Sequence, residues 1–149
     1  MTHHDPLRPL RGPLVQAAEA AMKKAASTKL LTKPLEKAQL SHLVGVCNSA
    51  ACGEEIELYL RYQAARDNAP WPRAVVDDVI DSYKRVVDGP AAAVEDRGRF
   101  VVAAWRVYAV YLARAFPYAK LVAKDPPPAV PQPAPRPAHP QTARQGGQR

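Results

Sequence analysis

The chain has 149 residues, with 16 prolines against 7 glycines, and its 21 Lys+Arg against 14 Asp+Glu leave a formal charge of +7. That length suits one domain, and two cysteines exclude a disulfide-stapled scaffold. No apolar run approaches the roughly 18 residues of a membrane span and no charged segment leads an apolar one at the N-terminus, so the expectation is a soluble, cytoplasmic protein without a membrane partner.

Three prolines (Pro6, Pro9, Pro13) mark residues 1–13 as a flexible arm. Residues 14–124 must then hold the whole core. Apolar side chains recur there at spacings of three and four, without strand-like alternation, and alanine outnumbers glycine, so the elements read as helices. Pro13 suits the first turn of a helix over Leu14–Ala26, with Leu14, Ala18, Ala21 and Met22 on one side. Thr32 can cap a second helix with Pro34 in its first turn, and Leu40, Leu43, Val44 and Cys47 form its apolar stripe.

Small and polar residues interrupt the pattern at Asn48–Gly53. A third helix begins at Glu54-Glu55, acids suited to the positive end of a helix dipole. Its inner face carries Ile56, Tyr59, Leu60 and Gln63, and Glu57–Arg61 makes an i, i+4 pair. Asp67–Pro72 reads as a loop. A fourth helix buries Val76, Val79, Ile80, Tyr83 and Val87, and Asp88-Gly89-Pro90 should stop it. The last helix starts at Ala91 or Val94 and runs to Ala115, with Pro117 as a break or kink. Phe100, Val101, Ala104, Trp105, Tyr108, Tyr111, Leu112 and Ala115 share its apolar face.

From Asp125 onward the chain carries eight of the 16 prolines and little to bury. Ordering a backbone costs roughly 1–2 kcal/mol per residue, so 125–149 is expected to be a disordered Pro-rich tail. The fold class is therefore an all-α, compact bundle of about five helices with that tail appended. Residues 29–124 hold 14 basic and 11 acidic side chains, so only +3 of the charge lies there. A binding surface must come from the arrangement of charge, because the excess itself is small.

Among candidate sites, Asp77, Asp78 and Asp81 lie close on the fourth helix. Paired carboxylates can hold a divalent ion, but an exposed helix start with an Asp81–Arg85 ion pair explains them more simply. Cys47 and Cys52 form a lone C-x4-C with only His42 as a third zinc ligand nearby, and His3-His4-Asp5 sits on the arm. Glycines are too scattered for a phosphate-cradling loop, and no nucleophile–base pair has spacing to support it. The reading is a non-enzyme with no cofactor and no metal.

The basic residues offer more. On the last helix Arg99 and Arg106 lie nearly in line, with Arg114 about 80° round the same side at about 100° per residue. Ala103, Val110 and Ala113 between them would let a phosphate backbone approach, and arginine forks match phosphate oxygens. Arg61, Arg66, Lys37 and Lys120 extend the candidate set. Tyr62 lies one turn from Arg66, a spacing compatible with stacking or cation–π contact and equally with simple cover of a helix edge.

Leu31-Thr32-Lys33-Pro34 through Gln39-Leu40, Glu54-Glu55-Ile56, Leu60-Arg61-Tyr62-Gln63-Ala64-Ala65-Arg66 and the stretch Arg99–Trp105 through Tyr118 together resemble the small helical subunit of type III CRISPR effector complexes, most closely the Csm type. The likeness spans roughly residues 28–124; the arm and the tail depart from it. It implies a helical bundle that stacks with copies of itself and with other subunits of an interference ribonucleoprotein. There it would line the guide RNA–target RNA duplex, touching backbones without cutting them. The family's basic helix faces would map to Arg61, Arg66, Arg99, Arg106 and Arg114. The rival reading is a helical protein–protein adaptor whose Pro126–Pro140 segment presents polyproline II to a partner.

Overall fold

The computed structural model describes residues 4–27 and 34–125. They form five helices, α1 (Arg8–Ser27), α2 (Lys37–Ser49), α3 (Gly53–Ala65), α4 (Arg73–Ala92) and α5 (Arg97–Lys124), with no strand among the described residues. The all-α bundle expected from apolar periodicity is the observed fold. Helix α5 lies at its centre and packs against each of the other four, while α1 also packs on α4 and α3 on α4.

Each helix start shows where local sequence and packing agree or part. α1 begins at Arg8, well before the expected Leu14, so residues 8–13 of the expected arm are helical. Asp5 explains the start: its Oδ1 accepts from the Leu7 backbone N–H at 3.0 Å, and its Oδ2 from Arg11 at 2.8 Å. Pro6 and Pro9 follow directly, where a missing N–H costs no helical bond. Leu7 and Leu10 are buried, so extending the helix also adds core. Pro13 then lies inside α1 rather than in its first turn.

α2 starts at Lys37, behind Glu36, whose side chain makes no cap. Pro34 precedes the helix, and the expected cap Thr32 lies outside the described residues. α3 starts at Gly53, a position where packing requires glycine. A Cβ on Gly53 would lie 2.6 Å from Val101 Cγ1 of α5, so only glycine lets the two helices approach this closely. The loop after α3 turns at Asn68 (φ 57°), a left-handed position that asparagine tolerates. Trp71, flanked by Pro70 and Pro72, is fully buried from within that loop.

Two proline stops fail. α4 runs through Gly89 and Pro90 to Ala92, because Ala91 is buried and the Ala93 N–H closes the last turn onto Pro90 O at 3.1 Å. α5 starts later than expected, at Arg97, where Asp96 Oδ1 accepts from the Arg99 backbone N–H at 3.1 Å. It then continues through Pro117 to Lys124. A proline inside a helix costs about 3 kcal/mol; here the buried Phe116 and the packing of α5 on α1 hold the turn in place.

The core is aromatic where α4 meets α5. Tyr83 stacks on Trp105 with centroids 4.0 Å apart and planes at 14°, and Tyr108 tilts against both. Both buried hydroxyls are satisfied: Tyr83 donates to Val101 O at 2.7 Å and Tyr108 to Val79 O at 3.2 Å. Val102, Ala109 and Phe116 are buried beyond the single face expected for α5, while Val101, Tyr111 and Ala115 are only partly buried. A helix with neighbours on four sides cannot keep one apolar stripe.

Candidate nucleic-acid interface

Helix α5 carries Arg97, Arg99, Arg106, Arg114, Lys120 and Lys124, and no acidic residue in its whole length. Such a helix concentrates positive charge that the rest of the fold must either neutralise or present. Arg99 and Arg114 are exposed and form no ion pair with any described residue. They are the members of the expected stripe whose guanidinium groups remain open to a ligand.

Arg106 is different. Its Nε donates to Cys47 O at 3.1 Å and an Nη to Asn48 O at 3.3 Å. These carbonyls belong to the last turn of α2, which lacks intrahelical donors, so Arg106 caps α2 across 59 residues of sequence. It was expected to grip phosphate; instead it grips a helix end. Wheel geometry alone could not reveal this, because it says nothing of which neighbour arrives on that side.

The remaining candidates do not join the α5 row. Arg61 lines a hollow of about 440 Å³ between α3 and α4 together with Arg73 and Asp77, while its guanidinium lies 3.7 Å from Glu57. Arg73, not anticipated, sits there 3.7 Å from Asp77. Arg66 donates to Gln63 Oε1 at 2.9 Å, a hydrogen bond that satisfies a buried glutamine. Tyr62 itself is exposed. Lys37 is exposed at the start of α2, and Lys120 lies 5.4 Å over the Phe116 ring.

Some of the carboxylates on α3 and α4 face cations. Lys84 lies 2.9 Å from Glu57, a closer partner than the i, i+4 Arg61. Asp78 meets Lys24 of α1 at 3.4 Å. Asp81 does not pair with Arg85, which bonds Ser82 Oγ at 3.2 Å instead. Glu54, at the start of α3, has its carboxyl held below the usual range by its own backbone N–H and by the Cys52 thiol. No three His, Cys, Asp or Glu side chains converge as metal ligands among the described residues.

Cys47 is buried, and burial pushes its thiol up to about 12 against the opposing charge of Arg106. A neutral thiol is a poor nucleophile. His42 is exposed and has no hydrogen-bond partner among the described residues. His3 lies outside them. No described helix is long and apolar enough to cross a membrane.

Compared with protein-family models, curated proteins and solved structures, the chain matches none.

Proposed function

We propose that the chain is a non-catalytic binder of RNA backbone that serves as the small helical subunit of a type III CRISPR interference complex. The observation that carries the RNA-binding part is the acid-free α5, with Arg99 and Arg114 exposed and unpaired among the described residues. The subunit assignment rests on the sequence resemblance, with which a bundle of five helices agrees. Binding works by neutralising phosphates and releasing counterions, so affinity falls steeply with salt and ignores base sequence. An A-form duplex keeps its bases in a deep, narrow groove, which leaves backbone and shape as the readable features.

The test uses Arg99→Gln with Arg114→Gln and leaves the capping Arg106 in place. Anisotropy of a labelled RNA duplex across a salt series should show weaker binding and a shallower slope, by roughly 0.7–0.9 per lost phosphate contact. Unchanged affinity and slope in a folded double variant would overturn the RNA reading. The assembly is tested separately, by adding the chain to a type III effector reconstituted without its small subunit. Failure to incorporate removes the subunit assignment and leaves the backbone reading standing.

A further inference from the structure

Near the end of the described chain, α1 and α5 form a groove of about 690 Å³. Val15, Glu19 and Lys23 stand on one wall and Tyr111, Tyr118 and Val122 on the other. Its volume is that of a small-ligand pocket, roughly 300–1,000 Å³, and its lining is mostly apolar. Tyr118 is 70% exposed and neighbouring Leu121 57%, the most open apolar side chains of α5.

The spacing of the two tyrosines says what fits. Seven helical residues separate Tyr111 from Tyr118, about 10 Å along α5 at 1.5 Å each. A polyproline II helix repeats every three residues, about 9 Å. Prolines three apart can therefore meet the two rings in succession, which is how proline-rich segments use aromatic-lined grooves. The chain contains such a segment. Pro128–Pro131 and Pro137–Pro140 both have this spacing, inside a run that starts at Pro126.

Position and length favour the chain's own segment over a separate partner. Asp125, where the described residues end, follows the groove residue Val122 by three positions. The 24 residues beyond it reach about 70 Å as polyproline II at ~3.1 Å each, several times the ~17 Å of α5 between Tyr111 and Val122. A short tether also supplies an effective concentration on the order of millimolar.

We propose that the proline-rich segment 126–140 turns back and docks in the α1/α5 groove of its own chain, its prolines stacked on Tyr111 and Tyr118. Docking covers apolar surface that the five helices leave open; because Arg114 also lines the groove, a docked segment and an RNA backbone compete for it. The proposal is argued from the groove and the segment, not from the RNA reading.

The test uses the full chain with a nitroxide at Ala134→Cys, in a Cys52→Ser background that leaves only the buried Cys47 as a native thiol. Amide signals of residues 15–23 and 111–122 should be lost to paramagnetic broadening, while those of α3 are kept. Tyr118→Ser, at an exposed position, should restore them. Broadening equal in α3 and the groove, or unaffected by Tyr118→Ser, overturns the proposal. So does broadening carried from a labelled copy to a separate isotope-labelled one, which would mean that a second molecule fills the groove.

Discussion

Arg106 and Cys47 are 59 residues apart in sequence, and a 3.1 Å hydrogen bond from guanidinium to carbonyl joins them. Through it, α5 closes the end of α2, whose only substantial packing partner among the described helices is α5 itself. The same arginine draws the buried thiol of Cys47 slightly back from its desolvated value. One side chain thus serves packing, capping and electrostatics at a single seam.

Removing it should loosen α2. Arg106→Gln loses one part-buried and one exposed hydrogen bond to helix-end carbonyls, each worth about 1 kcal/mol. We expect a lower denaturation midpoint and faster amide exchange confined to Val46–Ala50. A midpoint equal to that of the native chain would mean that water replaces the cap at no cost.

Gly53 of α3 packs directly against Val101 of α5. Gly53→Ala places a Cβ where Val101 Cγ1 stands, and overpacking of this kind costs about 1–3 kcal/mol. Val101→Ala should relieve the clash, so the double variant loses less than the two single losses combined. Strict additivity in urea unfolding would show that the helices separate without strain.

The two buried tyrosines differ in what their hydroxyls contribute. Tyr83→Phe removes a 2.7 Å bond to Val101 O and Tyr108→Phe a longer one of 3.2 Å to Val79 O. Each acceptor is a helical carbonyl that keeps its backbone donor, so both losses should be about 1 kcal/mol, the Tyr83 loss being the larger. Near-ultraviolet circular dichroism should stay native, because the ring stack on Trp105 remains. Reversed order in the unfolding free energies would discount the bond lengths.

Alkali should unfold the protein through Cys47. Its folded-state pKa is raised from 9.0 to about 12 by burial, so below pH 9 the thiol is neutral in both states and its contribution is intact. Between pH 9 and about 12 only the unfolded chain ionises there, and stability falls as pH rises. Burial also raises Tyr83 and Tyr108, which add to the loss above pH 10. Cys47→Ala should flatten the stability curve from pH 9 to 10, where the tyrosines are still silent. At pH 8 iodoacetamide should modify Cys52 in the native protein and reach Cys47 only after unfolding.

How far the chain could be read follows from the range of the forces involved. Apolar spacing acts within a helix, so Leu40–Leu43–Cys47, Ile56–Leu60–Gln63 and Val76–Val79–Ile80–Tyr83 announced their inner faces correctly. Punctuation was less dependable. Pro90 and Pro117 carry real helix-breaking costs, yet α4 and α5 continue past them beside the buried Ala91 and Phe116, and that burial depends on neighbours distant in sequence. Asp5 was legible in principle as a cap before Pro6, but the density of prolines around it pointed to a flexible arm.

The candidate interface divides in the same way. Composition alone establishes that α5 has cations and no acids, because that property belongs to one continuous stretch of chain. Tertiary packing decides which of those cations are free. It brings the end of α2 to Arg106 and α1 to the groove beside Arg114, leaving Arg99 and Arg114 without an ion pair among the described residues. A helix face is set by the 3.6-residue period and can be read one residue at a time. What stands opposite that face is set by how five helices share one core, which no single stretch of the chain contains.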